Sequence, residues 1–307
     1  MFRAAILDGI SIVQSDLSWE PVERLCDFTV YDRTSPDELE ERIKNLDGFF
    51  TSKCRITEEL MKKSPKLKFI GVTATGFDNV DVKAAESLGI AVCHVPAYST
   101  DAVAQHVFAL ILEIENRTGY YCAQVASGRW QNCSDFTFFD LPTHTLSGMS
   151  LGIVGYGSIG KQVARIAEAF GMTVNVYSRD REAALKSDIL TLHCPLTAEN
   201  EGFVNADFIS EMKDGAVLIN TARGKLVKEE DLAAALKSGK LSFAALDVLS
   251  VEPPEQDNPL IGLDNCIITP HIAWMPRECR ERVVDTCAAN LKSFLDGGSL
   301  NRVDKIR

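Results

Sequence analysis

Ser150-Leu151-Gly152-Ile153-Val154-Gly155-Tyr156-Gly157-Ser158-Ile159-Gly160-Lys161 is the stretch on which the fold turns. A strand-length apolar run leads into Gly-x-Gly-x-x-Gly, and an amphipathic segment follows in which Val163, Ala164, Ile166, Ala167 and Phe170 are apolar before Gly171 closes it. The bare glycine pattern carries little information; a strand before it and a helix after it give it meaning. Gly155 permits the tight turn, Gly157 lets a pyrophosphate approach the backbone, and Gly160 lets helix and strand pack closely. The helix N-terminus then offers unpaired N–H groups to phosphates. Tyr156, Ser158 and Ile159 ride on the same turn, so all six residues from Gly155 to Gly160 are expected to bind a dinucleotide.

The second strand bears on which dinucleotide. An NAD site places Asp or Glu about 20 residues on, against the ribose hydroxyls, whereas an NADP site accommodates the 2′-phosphate with Arg. The segment reads Val174-Asn175-Val176-Tyr177-Ser178-Arg179-Asp180. Ser178 stands where the acid is expected and Arg179 lies beside it, which tilts the expectation toward NADPH. Asp180 keeps NAD open if the turn shifts.

Outward from this turn, short apolar runs at 4–7, 28–31, 48–51, 69–72 and 91–95 alternate with polar, helix-periodic segments at 36–45 and 57–63. After the turn the alternation continues, with strands expected at 150–154, 173–177, 189–193, 216–220, 243–248 and 266–269 and a closing helix over 276–295. Alternation of this kind builds parallel α/β sheets. A long helix opened by Ser99-Thr100-Asp101 runs to about Arg117, and its apolar load suggests burial between two bodies. Between 119 and 147 the periodicity fails, while Trp130, Phe136, Phe138 and Phe139 mix with Gly128, Asp135 and Pro142. A loop this long has to pack on something, either a partner subunit or its own domain.

The 307 residues suffice for two domains, and 46% hydrophobic with 24% charged residues exclude a mostly disordered or collagen-like chain. A net charge of −11 disfavours sequence-independent binding to nucleic acid or anionic lipid. No apolar run approaches membrane-spanning length, and the first residues do not read as a signal peptide. The 9 cysteines lack CxxC spacing, so neither a disulfide framework nor a metal site is expected; they are read as reduced, mostly buried thiols of a cytoplasmic protein.

Three charged positions follow strands: Arg223 in Asn220-Thr221-Ala222-Arg223-Gly224, Glu252 in Ser250-Val251-Glu252-Pro253, and His271 in Thr269-Pro270-His271-Ile272-Ala273-Trp274. The carboxyl ends of parallel strands border the ligand crevice, so all three can converge beside the cofactor. Reducing a 2-keto acid needs a hydride, a proton for the carbonyl oxygen and a cation for carbonyl and carboxylate. His271 suits the proton, Glu252 would stabilise the imidazolium, and Arg223 offers a fork that stays charged. His94, His106 and His144 lack such partners and are read as structural. His193 is expected to line the cofactor groove through its backbone.

Gly155 to Gly160, His193-Cys194-Pro195-Leu196-Thr197, Asn220-Thr221-Ala222-Arg223-Gly224, Asp247-Val248 with Glu252-Pro253, and Pro270-His271-Ile272-Ala273 together resemble the D-isomer-specific 2-hydroxyacid dehydrogenase family. Within it, Tyr98-Ser99-Thr100-Asp101 and Ala273-Trp274 resemble the glycerate dehydrogenase and hydroxypyruvate reductase branch. The resemblance implies a Rossmann dinucleotide-binding domain (98–280) inserted into a flavodoxin-like substrate domain (1–97 and 281–307), both with parallel sheets. It implies Arg223, Glu252 and His271 as the catalytic set, with His193, Cys194, Pro195, Thr221, Ala222, Asp247 and Ala273 along the cofactor. Backbone N–H groups at Thr75, Gly76 and Phe77 would hold the substrate carboxylate, with Lys53, Arg223 and Trp274 also facing the substrate.

The same resemblance implies a homodimer through 119–147 and a small 2-keto or 2-hydroxy acid as substrate, with D-lactate and 3-phosphoglycerate as alternatives to glycerate. That the sequence carries no further domain after Arg307 is read as counting against phosphoglycerate. A dinucleotide-sensing, corepressor-like scaffold is the rival from another class. One departure stands out: after Asp180 the family usually carries a further short strand, and here only Arg181-Glu182-Ala183-Ala184-Leu185-Lys186 fills the space.

Overall fold

The apolar runs of the first third become strands, and in all but the one at 27–30 the side chains are mostly covered, the pattern of a parallel sheet flanked by helices on both faces. In the computed structural model, which describes residues 1–305, they are β1 (Arg3–Ile6), β2 (Asp27–Val30), β3 (Gly48–Thr51), β4 (Phe69–Val72) and β5 (Ala91–Cys93). Between them lie α1 (Glu20–Glu23), α2 (Pro36–Ile43), α3 (Glu58–Lys62) and α4 (Val82–Ser87). The sheet is parallel in the order β2-β1-β3-β4-β5, the flavodoxin-like arrangement. Local sequence sets the helix starts: Ser35 and Glu38 form a capping box with Pro36 at the first helical position. Every residue of β3 and β4 is buried, with Phe49, Phe50, Phe69 and Ile70 fully enclosed.

The chain continues through α5 (Thr100–Asn116), α6 (Thr118–Ala126), β6 (Ser150–Val154), α7 (Ser158–Ala169), β7 (Thr173–Val176), α8 (Arg181–Leu185) and β8 (Ile189–Leu192). It ends with α9 (Ala206–Glu211), β9 (Ala216–Asn220), α10 (Glu229–Ser238), β10 (Leu241–Leu246), β11 (Cys266–Ile268) and α11 (Arg277–Leu295). This second sheet is also parallel, in the order β11-β10-β9-β8-β6-β7, so its topological switch falls between β6 and β8. Residue contacts divide the chain into Ser99–Trp274 and a unit made of Met1–Tyr98 with the chain from Met275 onward. Residues 306 and 307, part of the range 281–307 assigned from sequence to the substrate domain, lie outside the described residues.

Three sequence expectations are corrected. Residues 119–147 are not all irregular: α6 fills 118–126, and none of its residues is buried, so no apolar period marked it in the sequence. The apolar face of α5 packs into a core within its own unit. Ala104, Val107, Phe108, Ile111 and Ile114 join Leu151, Ile153, Val163 and Ala167 in the second unit's own core. Finally, β10 starts at Leu241, before a register shift between Leu241 and Phe243 that breaks the alternation a strand is read by.

At the edge of the second sheet β7 is the last strand, and α8 makes the connection to β8. Asp180 caps α8 by accepting from the Ala183 N–H (2.9 Å), while Arg181 pairs with Glu211 (2.6 and 2.8 Å) and donates to the Tyr177 hydroxyl (3.0 Å). Among the described residues no helix is long and apolar enough to cross a membrane.

Candidate active site

The glycine turn between β6 and α7 explains its own composition. Gly155 has φ +98°, and a Cβ there would lie 2.4 Å from the Cys194 nitrogen and 2.5 Å from the His193 carbonyl carbon. The loop after β8 therefore packs backbone to backbone against the turn, and the His193 N–H donates to Val154 O (2.7 Å). A Cβ on Gly160 would meet the Gly155 oxygen at 2.2 Å, whereas one on Gly157 would meet nothing within 4 Å. Gly157 is the N-cap of α7 and supplies no side-chain cap, and the first N–H groups of the helix, at Ser158 and Ile159, have no intrahelical partner. A pyrophosphate fits there, and the residues present suit a dinucleotide.

Residues expected at the dinucleotide lie on both sides of the turn. Arg179 lays its guanidinium 4.8 Å from the centre of the Tyr156 ring. Ser178, Arg179 and Asp180 are all exposed, and the Asp180 carboxylate is engaged at the start of α8. Beyond β8, Asn200 fixes the segment 193–197 by donating to Pro195 O (2.8 Å) and accepting from the Thr197 N–H (2.7 Å). Burial pushes the Cys194 thiol up and the His193 imidazole down to about 3, so His193 is neutral at ordinary pH, its Nε2 3.0 Å from the Thr191 hydroxyl.

Three loops at the carboxyl ends of β9, β10 and β11 carry Arg223, Glu252 and His271. Asn220 holds the first, donating to Arg223 O (2.9 Å) and accepting from the Ala222 N–H (3.0 Å), while Arg223 Nη1 donates to Ala222 O (2.8 Å). Gly224 brings this loop against the next, since a Cβ there would sit 1.9 Å from the Leu249 carbonyl carbon. Glu252 takes the Leu249 N–H on Oε1 (3.0 Å) and places Oε2 2.7 Å from His271 Nδ1. An ionised carboxylate only accepts, so Nδ1 carries a proton. Thr221 Oγ1 is buried without a hydrogen-bond partner among the described residues, beside the place expected for the cofactor amide.

His271 itself stands at φ +54°, a left-handed conformation that a residue with a Cβ keeps only when its surroundings demand it. Asp247, 1% exposed, supplies that demand. Its main-chain oxygen accepts from the His271 N–H (2.8 Å), Oδ1 from the Ile272 N–H (2.9 Å) and the Thr269 hydroxyl (2.5 Å), and Oδ2 from the Ala273 N–H (2.9 Å). Trp274, half-buried, follows directly.

In the first unit the loop after β4 is fixed by Thr75, whose hydroxyl donates to Val95 O (2.8 Å) and whose carbonyl lies 2.8 Å from His94 Nδ1. Phe77 meets the His94 ring edge-on at 5.5 Å, with Gly76 half-buried between. Lys53 is exposed, while its N–H joins the Ser52 N–H and Thr51 hydroxyl on Asp8 Oδ2. Lys53 lines a cavity of about 860 Å³ with Asp8, Arg33 and Arg55.

Residues 108–273 match the family model of the D-isomer specific 2-hydroxyacid dehydrogenase, NAD binding domain. The chain belongs to this family. It is an NAD(P)-dependent enzyme of D-2-hydroxyacid dehydrogenase type, transferring hydride between the cofactor and small 2-keto or 2-hydroxy acids. A hydroxypyruvate reductase of Blautia hydrogenotrophica is 42% identical, covering 99% of this chain and 100% of its own. An acyclic imino acid reductase solved with NADPH and D-Arg superposes with a TM-score of 0.87 at 29% identity, over 98% of this chain and 100% of its own. D-lactate dehydrogenase from Aquifex aeolicus, solved with NAD and lactic acid, gives 0.83 at 31% identity, over 99% and 100%.

Set beside the family's chemistry, the sequence missed the residues that hold others in place. His94 and His106, read as structural, hydrogen-bond to Thr75 O and Thr269 Oγ1. Glu229, buried at the start of α10, accepts from the Ser250 N–H (2.6 Å) and Asn258 Nδ2 (2.6 Å), and so fixes the loop that carries Glu252. In the sequence it reads as an ordinary acid in a first helical turn.

Proposed function

We propose that the enzyme reduces hydroxypyruvate or glyoxylate to D-glycerate or glycolate, with His271 as the acid, Glu252 as its carboxylate partner and Arg223 as the cation on the substrate. The observation that carries this reading is the 2.7 Å His271 Nδ1 to Glu252 Oε2 pair, set at the carboxyl end of the same sheet whose glycine turn suits the dinucleotide. When bound, the reduced cofactor supplies the hydride. Protonated on both nitrogens, His271 donates the Nε2 proton to the carbonyl oxygen as the C2–H bond forms, and Glu252 stabilises the imidazolium until then. Arg223 holds the carbonyl and carboxylate oxygens in one plane through its fork of donors. The N–H groups of Thr75, Gly76 and Phe77 take the carboxylate, and Lys53 and Trp274 border the side chain. The hydroxypyruvate-reducing relative and the Ala273-Trp274 signature support this substrate class.

NADPH is the proposed cofactor, because Ser178 leaves room for a 2′-phosphate, Arg179 is exposed and held over Tyr156, and the Asp180 carboxylate caps α8. Trp130, Phe136 (89% exposed) and Phe139 (87%) extend from α6 into a surface suited to a second copy, which supports a homodimer through 119–147. The 9 free thiols fit the reducing cytoplasm. Steady-state rates with NADH and NADPH against hydroxypyruvate, glyoxylate, pyruvate and phosphohydroxypyruvate test the reading. Highest kcat/KM for hydroxypyruvate or glyoxylate with NADPH supports it; no turnover on the panel, with NADPH still bound, would favour a dinucleotide sensor instead.

A further inference from the structure

Resting on the roles given to His271 and Asp247, we propose that His106 and Thr269 are positioning residues that lock the Asp247 carboxylate, and through it the His271 turn. His106 stands in α5 with its ring mostly buried, Nε2 lying 3.0 Å from Thr269 Oγ1 and 3.5 Å from Asp247 Oδ1. Counting protons fixes the direction of this chain. A hydroxyl has one hydrogen, and Thr269 gives it to Asp247 Oδ1 at 2.5 Å. Thr269 Oγ1 therefore accepts from His106, which carries its proton on Nε2.

The consequence falls on the two residues after His271. Asp247 holds the Ile272 and Ala273 N–H groups with its two carboxylate oxygens, and both bonds need the carboxylate in one rotation. Main-chain donors alone leave that rotation to a flexible turn; the imidazole and hydroxyl pin it from a helix and a strand end. A left-handed, non-glycine His271 is strained and persists because such bonds over-determine it. Releasing the carboxylate lets the turn relax, and His271 Nε2 swings while Nδ1 stays on Glu252.

The test uses the full chain with hydroxypyruvate and NADPH. His106→Leu and Thr269→Val should each lower kcat at least about tenfold, with the NADPH Kd held within about threefold. His106→Gln, whose amide can donate to Thr269 Oγ1, should recover kcat to within about threefold of the parent. The double variant His106→Leu/Thr269→Val should be no worse than the weaker single, because both act through one carboxylate. Amide hydrogen exchange should speed up at Ile272 and Ala273 in the two single variants and return to the parent rate in His106→Gln. Thr269→Val, close in shape to the parent, keeps the test alive if His106→Leu does not fold. A His106→Leu enzyme with parental kcat and exchange, a Gln variant as impaired as Leu, or additive losses in the double variant would overturn the proposal. Should the parent turn over no 2-keto acid, the reductase reading fails on its own, while exchange at Ile272 and Ala273 still decides the positioning claim.

Discussion

The loops after β9, β10 and β11 and the sheet edge at β7 carry the residues proposed to act on substrate and cofactor, yet they are built in opposite ways. In the loops, every candidate for chemistry is tied to another: His271 to Glu252 and Asp247, Arg223 to Asn220, and the Glu252 loop to Glu229. At the edge, Ser178 and Arg179 are exposed and Arg179 rests on an aromatic ring. The groups proposed to move protons are held by hydrogen bonds whose loss leaves another polar group unsatisfied. The groups proposed to choose the cofactor stand at the surface, where exchange is cheap. Substitutions in the loops should change rate by orders of magnitude, and substitutions at the edge should change only selectivity.

His271→Ala gives the sharpest contrast: kcat should fall by about 10³, within the range for a lost general acid, with NADPH affinity unchanged by fluorescence titration. A loss under tenfold would remove the distinction between the two regions. Arg223→Gln should lower kcat/KM for hydroxypyruvate by about 10², the scale of a lost charge-assisted pair, and most of the loss should appear with the keto acid and not with NADPH. At the edge, Arg179→Ala should lower the NADPH to NADH ratio of kcat/KM about tenfold while kcat at saturation holds; a fall in kcat would mean the edge is not separable from the chemistry.

The smallest effect concerns stability. His193 has a folded pKa of about 3, below the ordinary value near 6.5, so its contribution is complete above pH 6.5 and is lost as pH falls from there toward 3. Thermal melts should show the parent losing more Tm between pH 7.5 and 5 than His193→Asn does. Equal losses would mean that the imidazole protonates freely in the folded protein.

The sequence made the sheets and the family readable because both rest on local signals. Apolar runs in a two-sided parallel sheet are continuous, and β3, β4, β6 and β9 have the bounds their runs suggest. Gly155 and Gly160 could be read because a turn and a close approach admit nothing larger. α6 escaped notice because a helix that buries no residue in its own chain leaves no apolar period. His106 and Glu229 escaped for a different reason: their partners lie 163 and 29 residues away in the chain, and nothing at either position announces a long-range bond. Asp247 was legible only through resemblance, and its carboxylate faces the turn after His271.

Reduction of hydroxypyruvate by NADPH deuterated at both C4 positions follows the transferred atom itself. The product should be D-glycerate carrying one deuterium at C2, formed in step with cofactor oxidation, and His271→Ala should form almost none. L-glycerate, unlabelled glycerate, or cofactor oxidation that His271→Ala leaves intact would contradict the account.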